Sequence, residues 1–141
     1  MKTILLGDSD REHAEAVADL LQNEGYIASI VSDRESCLDR LESGDFDLLV
    51  TDLFGNESDG VRQLVEVVGR YPHLQIIGMT LGDDVISEFH AFLQQAIGAS
   101  HVLRKPLDRS KLMPFVQNAL LRQRLRSPAW NAANDDQPAV A

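Results

Sequence analysis

Short apolar runs, each closed by a polar or charged residue, alternate along this chain with segments of helical spacing, and that alternation constrains the fold more than any other feature. Thr3, Ile4, Leu5, Leu6 and Gly7 read as a buried strand that stops at Asp8. Residues 10–24 then repeat apolar side chains at three and four through Ala14, Val17, Ala18 and Leu21, with Ser9 or Asp10 able to cap the helix and Gly25 to end it. The same rhythm predicts a strand at 26–31 and a helix at 33–41, capped by Ser32 or Asp33, with Cys37, Leu38 and Leu41 on one face. A strand at 46–51, a helix at 61–70 closing before Pro72, and a strand at 74–80 follow. A fourth helix is expected over 85–97, ended by Gly98, then a short strand at 101–103 and a last helix from Asp108 as cap to about residue 126. Five strand–helix units in strict alternation predict a parallel sheet covered on both faces, because a parallel crossover needs a helix that packs back onto the sheet.

At 141 residues the chain has the length of one domain and can hold a core without staples. The single Cys37 excludes an internal disulfide or a cysteine-based zinc site and fits a reducing cytosol, so a cytoplasmic protein is expected. No apolar run approaches the roughly 18 residues a membrane span needs, and no signal peptide is read. A net charge of −9 argues against direct nucleic-acid binding, which needs a basic surface. The charge is uneven: residues 1–103 carry 6 basic and 19 acidic side chains, whereas residues 104–126 carry 7 basic and 1 acidic. Residues 127–141 lack periodicity and hold two prolines, so 1–126 is read as the domain and 127–141 as a flexible tail or linker.

In open α/β sheets, ligands bind outside the carboxyl ends of the strands. Here the first strand ends in Asp8, the third in Asp52, the fourth in Thr80 and the fifth in Lys105-Pro106. These groups suit phosphoryl transfer: a carboxylate to help hold a divalent cation, a carboxylate nucleophile, a hydroxyl donor and a fixed cation. An aspartate after a strand is by itself usually a helix cap, and Lys-Pro usually a turn. Their joint appearance on one edge is what carries the reading.

The arrangement resembles the receiver domain of two-component response regulators, over residues 2 to about 126. The most specific stretch is Asp52-Leu53-Phe54-Gly55-Asn56-Glu57-Ser58-Asp59-Gly60, similar to the family's Asp-Leu-x-Met-Pro-x-x-Asp-Gly loop. Met79-Thr80 looks like its switch threonine, Arg104-Lys105-Pro106-Leu107 like its Lys-Pro element, and the 17 positions from Asp8 to Gly25 match its usual spacing. The resemblance implies a flavodoxin-like, five-stranded parallel sheet in the order 2-1-3-4-5 with five helices. It implies that Asp52 is the phosphoacceptor, served by Lys105 and Thr80, and that Mg²⁺ is held by Asp8, Asp52 and the Phe54 carbonyl. It further implies a signalling module rather than an enzyme, taking its phosphoryl group from a histidine kinase or phosphotransfer protein and acting on a downstream protein partner or output domain. A homodimer is compatible with it.

Several departures stand out. The family's adjacent acidic pair is here Asp8-Ser9, so Mg²⁺ is expected to bind weakly, with Asp10 either compensating or acting as a helix cap. Gly55-Asn56 replaces Met-Pro, and Val102 occupies the place of the switch aromatic, with His101 beside it. Two other readings remain open at this point. A pseudo-receiver would bind partners without being phosphorylated. A haloacid-dehalogenase-type phosphatase would use Asp8 and Asp10 in its opening Asp-x-Asp, but its lysine should precede its final acidic pair, and Lys105 follows Asp83-Asp84. Arg122, Arg124 and Arg126 read as a solvated helix end; with no DNA-binding motif after them, output through another protein or through the rest of a longer regulator is expected.

Overall fold

The computed structural model describes residues 1–54, 58–80 and 102–125. Strands β1 (Thr3–Gly7), β2 (Ile27–Val31), β3 (Leu48–Thr51), β4 (Gln75–Thr80) and β5 (Val102–Arg104) form one sheet in the order β2-β1-β3-β4-β5. Every pairing is parallel, with Leu6 opposite both Ile30 and Val50, and Thr80 opposite Arg104. Four helices belong to the described residues: α1 (Arg11–Asn23), α2 (Arg34–Ser43), α3 (Ser58–Arg70) and α4 (Arg109–Leu125). The helix expected over 85–97, the loop before it, His101 and the segment 127–141 lie outside them.

Side chains alternate across a strand, so each strand feeds two cores. On one face Ile4, Leu6, Val50, Ile77 and Met79 meet Ala14, Val17, Ala18 and Leu21 of α1 and Leu112, Met113, Val116 and Ala119 of α4. On the other, Leu5, Leu49 and Ile76 meet Cys37 and Leu41 of α2, Leu64 and Val67 of α3, and Phe54. Each fully buried aliphatic side chain contributes about 1.5–3 kcal/mol relative to its exposed state. Removing one, as in Leu49→Ala, should cost about 3 kcal/mol because the sheet cannot collapse into the cavity.

The helix ends explain most of the boundary differences. Glu24 closes α1, and Gly25 follows with φ +92, donating its N–H to the Gln22 carbonyl, while the Tyr26 N–H turns back to Leu21. That left-handed closure uses the Tyr26 N–H, so β2 begins at Ile27 rather than at 26. Asp10, Asp33 and Asp108 each accept a backbone N–H from the residue three positions on, which makes them the caps of α1, α2 and α4. α3 starts at Ser58, three residues before the expected 61, because its polar first turn carries no apolar spacing. α2 runs two residues past the expected 41, over exposed polar positions that likewise give no periodic signal. β3 begins at Leu48 rather than 46, and Asp47 instead accepts the Thr3 N–H with its side chain. β5 is shifted by one residue to Val102–Arg104.

Candidate functional site

The sheet order brings the ends of β1 and β3 side by side, with the end of β4 next to β3 and that of β5 beyond it. The Asp52 N–H donates to the Gly7 carbonyl at 3.1 Å, and the Lys105 N–H to the Thr80 carbonyl at 2.7 Å. Both bonds continue the sheet pattern one residue past its last pairs, so Asp8, Asp52, Thr80 and Lys105 are carried to one edge by the backbone itself. The Lys105–Pro106 peptide is cis. Lys105 turns its side chain inward, where its Nζ lies 2.5 Å from Asp8 Oδ1 and 2.5 Å from Asp52 Oδ2.

Asp8 is fully buried and its oxygens are shared out. Oδ1 accepts from Lys105 and from the Asp10 N–H at 2.9 Å, and Oδ2 faces His13 Nδ1 at 2.6 Å. Burial works to raise the Asp8 pKa; hydrogen bonds from His13, Lys105 and the Asp10 N–H outweigh it and hold the carboxyl below its ordinary value. For Lys105, burial works to lower the pKa, and the bonds to Asp52 and Asp8 overcome it and raise it. Counted at formal charge, Asp8, Asp52 and Lys105 make a cluster of −1.

Ser9 stands where a second acid would, and it faces Asp52. Its N–H donates to Asp52 Oδ1 at 3.2 Å and its hydroxyl to Oδ2 at 3.1 Å. Asp10 does not take the acid's place: its carboxylate caps α1 by accepting the His13 N–H at 3.2 Å. Phe54 packs its ring into the second core, and its carbonyl oxygen lies against the start of α3, 2.7 Å from where a Cβ on Gly60 would stand. Only glycine allows α3 to begin so close to that carbonyl. Thr80 is buried at the end of β4, and Val102 packs, half-buried, against the second core.

Among the described residues no three His, Cys, Asp or Glu side chains converge on a metal position. Asp8, Asp52 and the Phe54 carbonyl nonetheless offer only oxygen, which suits Mg²⁺, an ion that commonly takes one or two carboxylates and keeps waters elsewhere. The residues present fit such an ion, with one anionic ligand fewer than a paired-acid site would supply. His13 was not among the expected site residues. Its signal was available, since position 13 continues the apolar stripe of 17 and 21 toward the carboxyl edge with a polar ring.

A family model described as the response regulator receiver domain matches residues 4–117. The chain belongs to the response regulator receiver family. It is 30% identical over 122 residues to the transcriptional regulatory protein ZraR of Klebsiella oxytoca, covering 86% of this chain and 27% of that protein. It is also 30% identical over 131 residues to the transcriptional regulatory protein CpxR of Escherichia coli K12, covering 93% of this chain and 52% of that one. A CheY-like receiver domain protein from Methanospirillum hungatei has the same fold, with a TM-score of 0.77 at 24% identity over 90% of this chain and 99% of that one. This receiver domain thus spans about a quarter to a half of the curated relatives it matches. The flavodoxin-like order expected of a receiver is the order observed. The haloacid-dehalogenase reading gives way to the receiver family, whose model covers residues 4–117.

Proposed function

We propose that this receiver takes a phosphoryl group on Asp52 and signals through the resulting change of its protein-binding surface. The observation that carries the reading is the Lys105 ammonium, 2.5 Å from both Asp8 and Asp52 at the shared strand edge. An Asp52 oxygen attacks the phosphorus of a phosphohistidine or a small acyl phosphate. The new P–O bond forms as the bond to the leaving nitrogen or oxygen breaks, and the leaving group keeps the electron pair. Lys105 is poised to follow the charge from the carboxylate to an equatorial phosphoryl oxygen, and the Thr80 hydroxyl to donate to another.

Acylation removes one carboxylate charge and adds about −1.5 to −2, so the cluster moves well below its resting −1. Asp8, Asp52 and the Phe54 carbonyl are the residues that would hold Mg²⁺, weakly, since Ser9 offers a neutral hydroxyl. When bound, that ion supplies charge neutralisation at the phosphoryl oxygens.

The donor is a histidine kinase or phosphotransfer protein, and the output lies in a downstream protein partner or an attached output domain, as the regulators ZraR and CpxR suggest by their greater length. With a net charge of −9 the chain is unsuited to binding nucleic acid directly. No helix among the described residues is long and apolar enough to cross a membrane.

Incubation with acetyl phosphate and Mg²⁺ should add one phosphoryl group by intact mass, and Asp52→Asn should abolish the gain. One observation favours a phosphorylation-independent module instead: both Asp52 oxygens already accept hydrogen bonds, two of them from Ser9. A wild-type protein that gains no mass under saturating donor and metal would establish that second reading.

A further inference from the structure

His13 sits in the first turn of α1, and its ring makes two contacts of opposite sense. Nδ1 lies 2.6 Å from Asp8 Oδ2, and the backbone N–H of Leu107 donates to Nε2 at 3.1 Å. A nitrogen that accepts from an N–H carries a lone pair, so Nε2 is unprotonated and the ring proton is on Nδ1, donated to Asp8. The ring is a neutral bridge between the buried carboxylate of β1 and the loop two residues after Lys105.

The choice of a neutral donor matters for the cluster. Asp8 is fully buried, and with its Oδ2 unbonded it would bear an unsatisfied anionic oxygen. An arginine or lysine here would satisfy that oxygen but bring a second positive charge, competing with Lys105 for the same carboxylate. The imidazole fills the oxygen's need and leaves the cluster at −1. It also leaves Asp8 Oδ1 turned toward Lys105, which is how one ammonium reaches both Asp8 and Asp52 at 2.5 Å. On its far side the ring gives the Leu107 N–H its acceptor, fixing the backbone that carries Lys105.

We propose that His13 is a positioning residue for the phosphoryl-transfer site: it clamps Asp8 to the 105–107 loop and thereby holds Lys105 between the two carboxylates. The proposal goes beyond the family motif and rests on Asp52 as phosphoacceptor.

The test compares wild type, His13→Ala and His13→Asn. An Asn side chain places its amide nitrogen where Nδ1 stands and so keeps the donor to Asp8, but it cannot reach Leu107. Nitrogen-15 NMR of the unphosphorylated wild type should show His13 as the neutral Nδ1–H tautomer. In His13→Ala, phosphorylation by saturating acetyl phosphate should slow about tenfold, the lower range for loss of a supporting hydrogen bond, and the Leu107 amide should exchange about tenfold faster. In His13→Asn most of the rate should return while Leu107 stays unprotected, a split that general destabilisation would not produce.

An Nε2–H or doubly protonated ring in wild type overturns the proposal, and so does a His13→Ala protein with wild-type rate and a protected Leu107. If His13→Ala does not fold, His13→Asn decides: a Leu107 amide still protected there overturns the clamp. Failure of the Asp52 reading is seen separately, as absence of mass gain in wild type, whereas the tautomer and the Leu107 amide are read without any phosphoryl group.

Discussion

The Lys105 ammonium lies 2.5 Å from Oδ2 of Asp52 with only 4% of its side chain exposed. An ion pair shut off from water to this degree is costly to break from one side, because the remaining charge stays where it is. Lys105→Ala should therefore destabilise the fold by about 3 kcal/mol at neutral pH. The deficit should shrink on acidification, as protonation relieves the facing carboxylates. Guanidinium unfolding of both proteins at pH 7 and pH 4.5 checks this; an equal deficit at the two values contradicts it.

The wild-type pH profile follows from the two shifted groups. Asp8 has a folded-state pKa below its ordinary value of about 3.9, so its contribution is present above that value and lost as pH falls through the folded one. Lys105 is raised, so its contribution is complete below about pH 10.4 and lost as pH rises through the folded value. Stability should thus be flat between these limits as far as this pair is concerned. Asp8→Asn should flatten the acid limb of a stability–pH curve followed by urea unfolding, and should slow labelling of Asp52, because it removes one of the proposed Mg²⁺ ligands and a partner of Lys105.

Ser9→Asp places a carboxylate where Ser9 now donates to both Asp52 oxygens. In the absence of divalent ions the third acid should destabilise the protein by like-charge repulsion. With them, Mg²⁺ affinity should rise about tenfold, equivalent to about 1.4 kcal/mol, and phosphorylation should quicken. A fluorescence or calorimetric titration with Mg²⁺ alone reads the first effect. Asp10→Ala should leave that affinity unchanged, since Asp10 is occupied as the cap of α1.

The strand edge was legible because its cause is local. Asp8, Asp52, Thr80 and Lys105 each follow an apolar run, and a parallel sheet delivers the ends of its strands to one side. Contacts made by geometry were not legible. His13 bonds a backbone amide 94 residues away, and no spacing in the sequence encodes that pair. α3 opens with Ser58-Asp59-Gly60, which carry no apolar side chain, so apolar periodicity could not see its start, whereas the last helix was legible from its cap and apolar stripe even though it runs through Pro114. The choice between Ser9 and Asp10 as the α1 cap was settled by Ser9 turning to Asp52, a tertiary contact that overrides cap preference.

Gly60→Ala should disturb the site from outside it. The added Cβ would stand 2.7 Å from the Phe54 carbonyl oxygen and 3.0 Å from its carbon, backbone atoms that cannot move aside as a flexible side chain would. A cost of about 1–3 kcal/mol is expected for such overpacking. The displaced carbonyl should also weaken Mg²⁺ binding, and a variant with wild-type Mg²⁺ affinity would remove Phe54 from the set of ligands.

Cys37 should be silent as a thiol in the folded protein. Burial, with the charge of Asp33 adding to it, pushes its pKa up to about 12, so almost no thiolate exists at neutral pH. Ellman's reagent should react only as fast as the chain opens, and the rate should rise in parallel with any destabilising variant described above.

The pocket is closed by contacts of very long sequence separation: 97 residues between Lys105 and Asp8, 94 between Leu107 and His13, and 53 between Lys105 and Asp52. Loop closure over such spans is slow, and it comes after the local contacts of each strand–helix unit. During synthesis, Asp8 and Asp52 emerge well ahead of Lys105, the ammonium that bonds to both. A nascent chain that has not yet reached residue 105 therefore carries both carboxylates without the lysine that lies between them, so the proposed phosphoryl-transfer site should be completed only after the last strand of the sheet has been made.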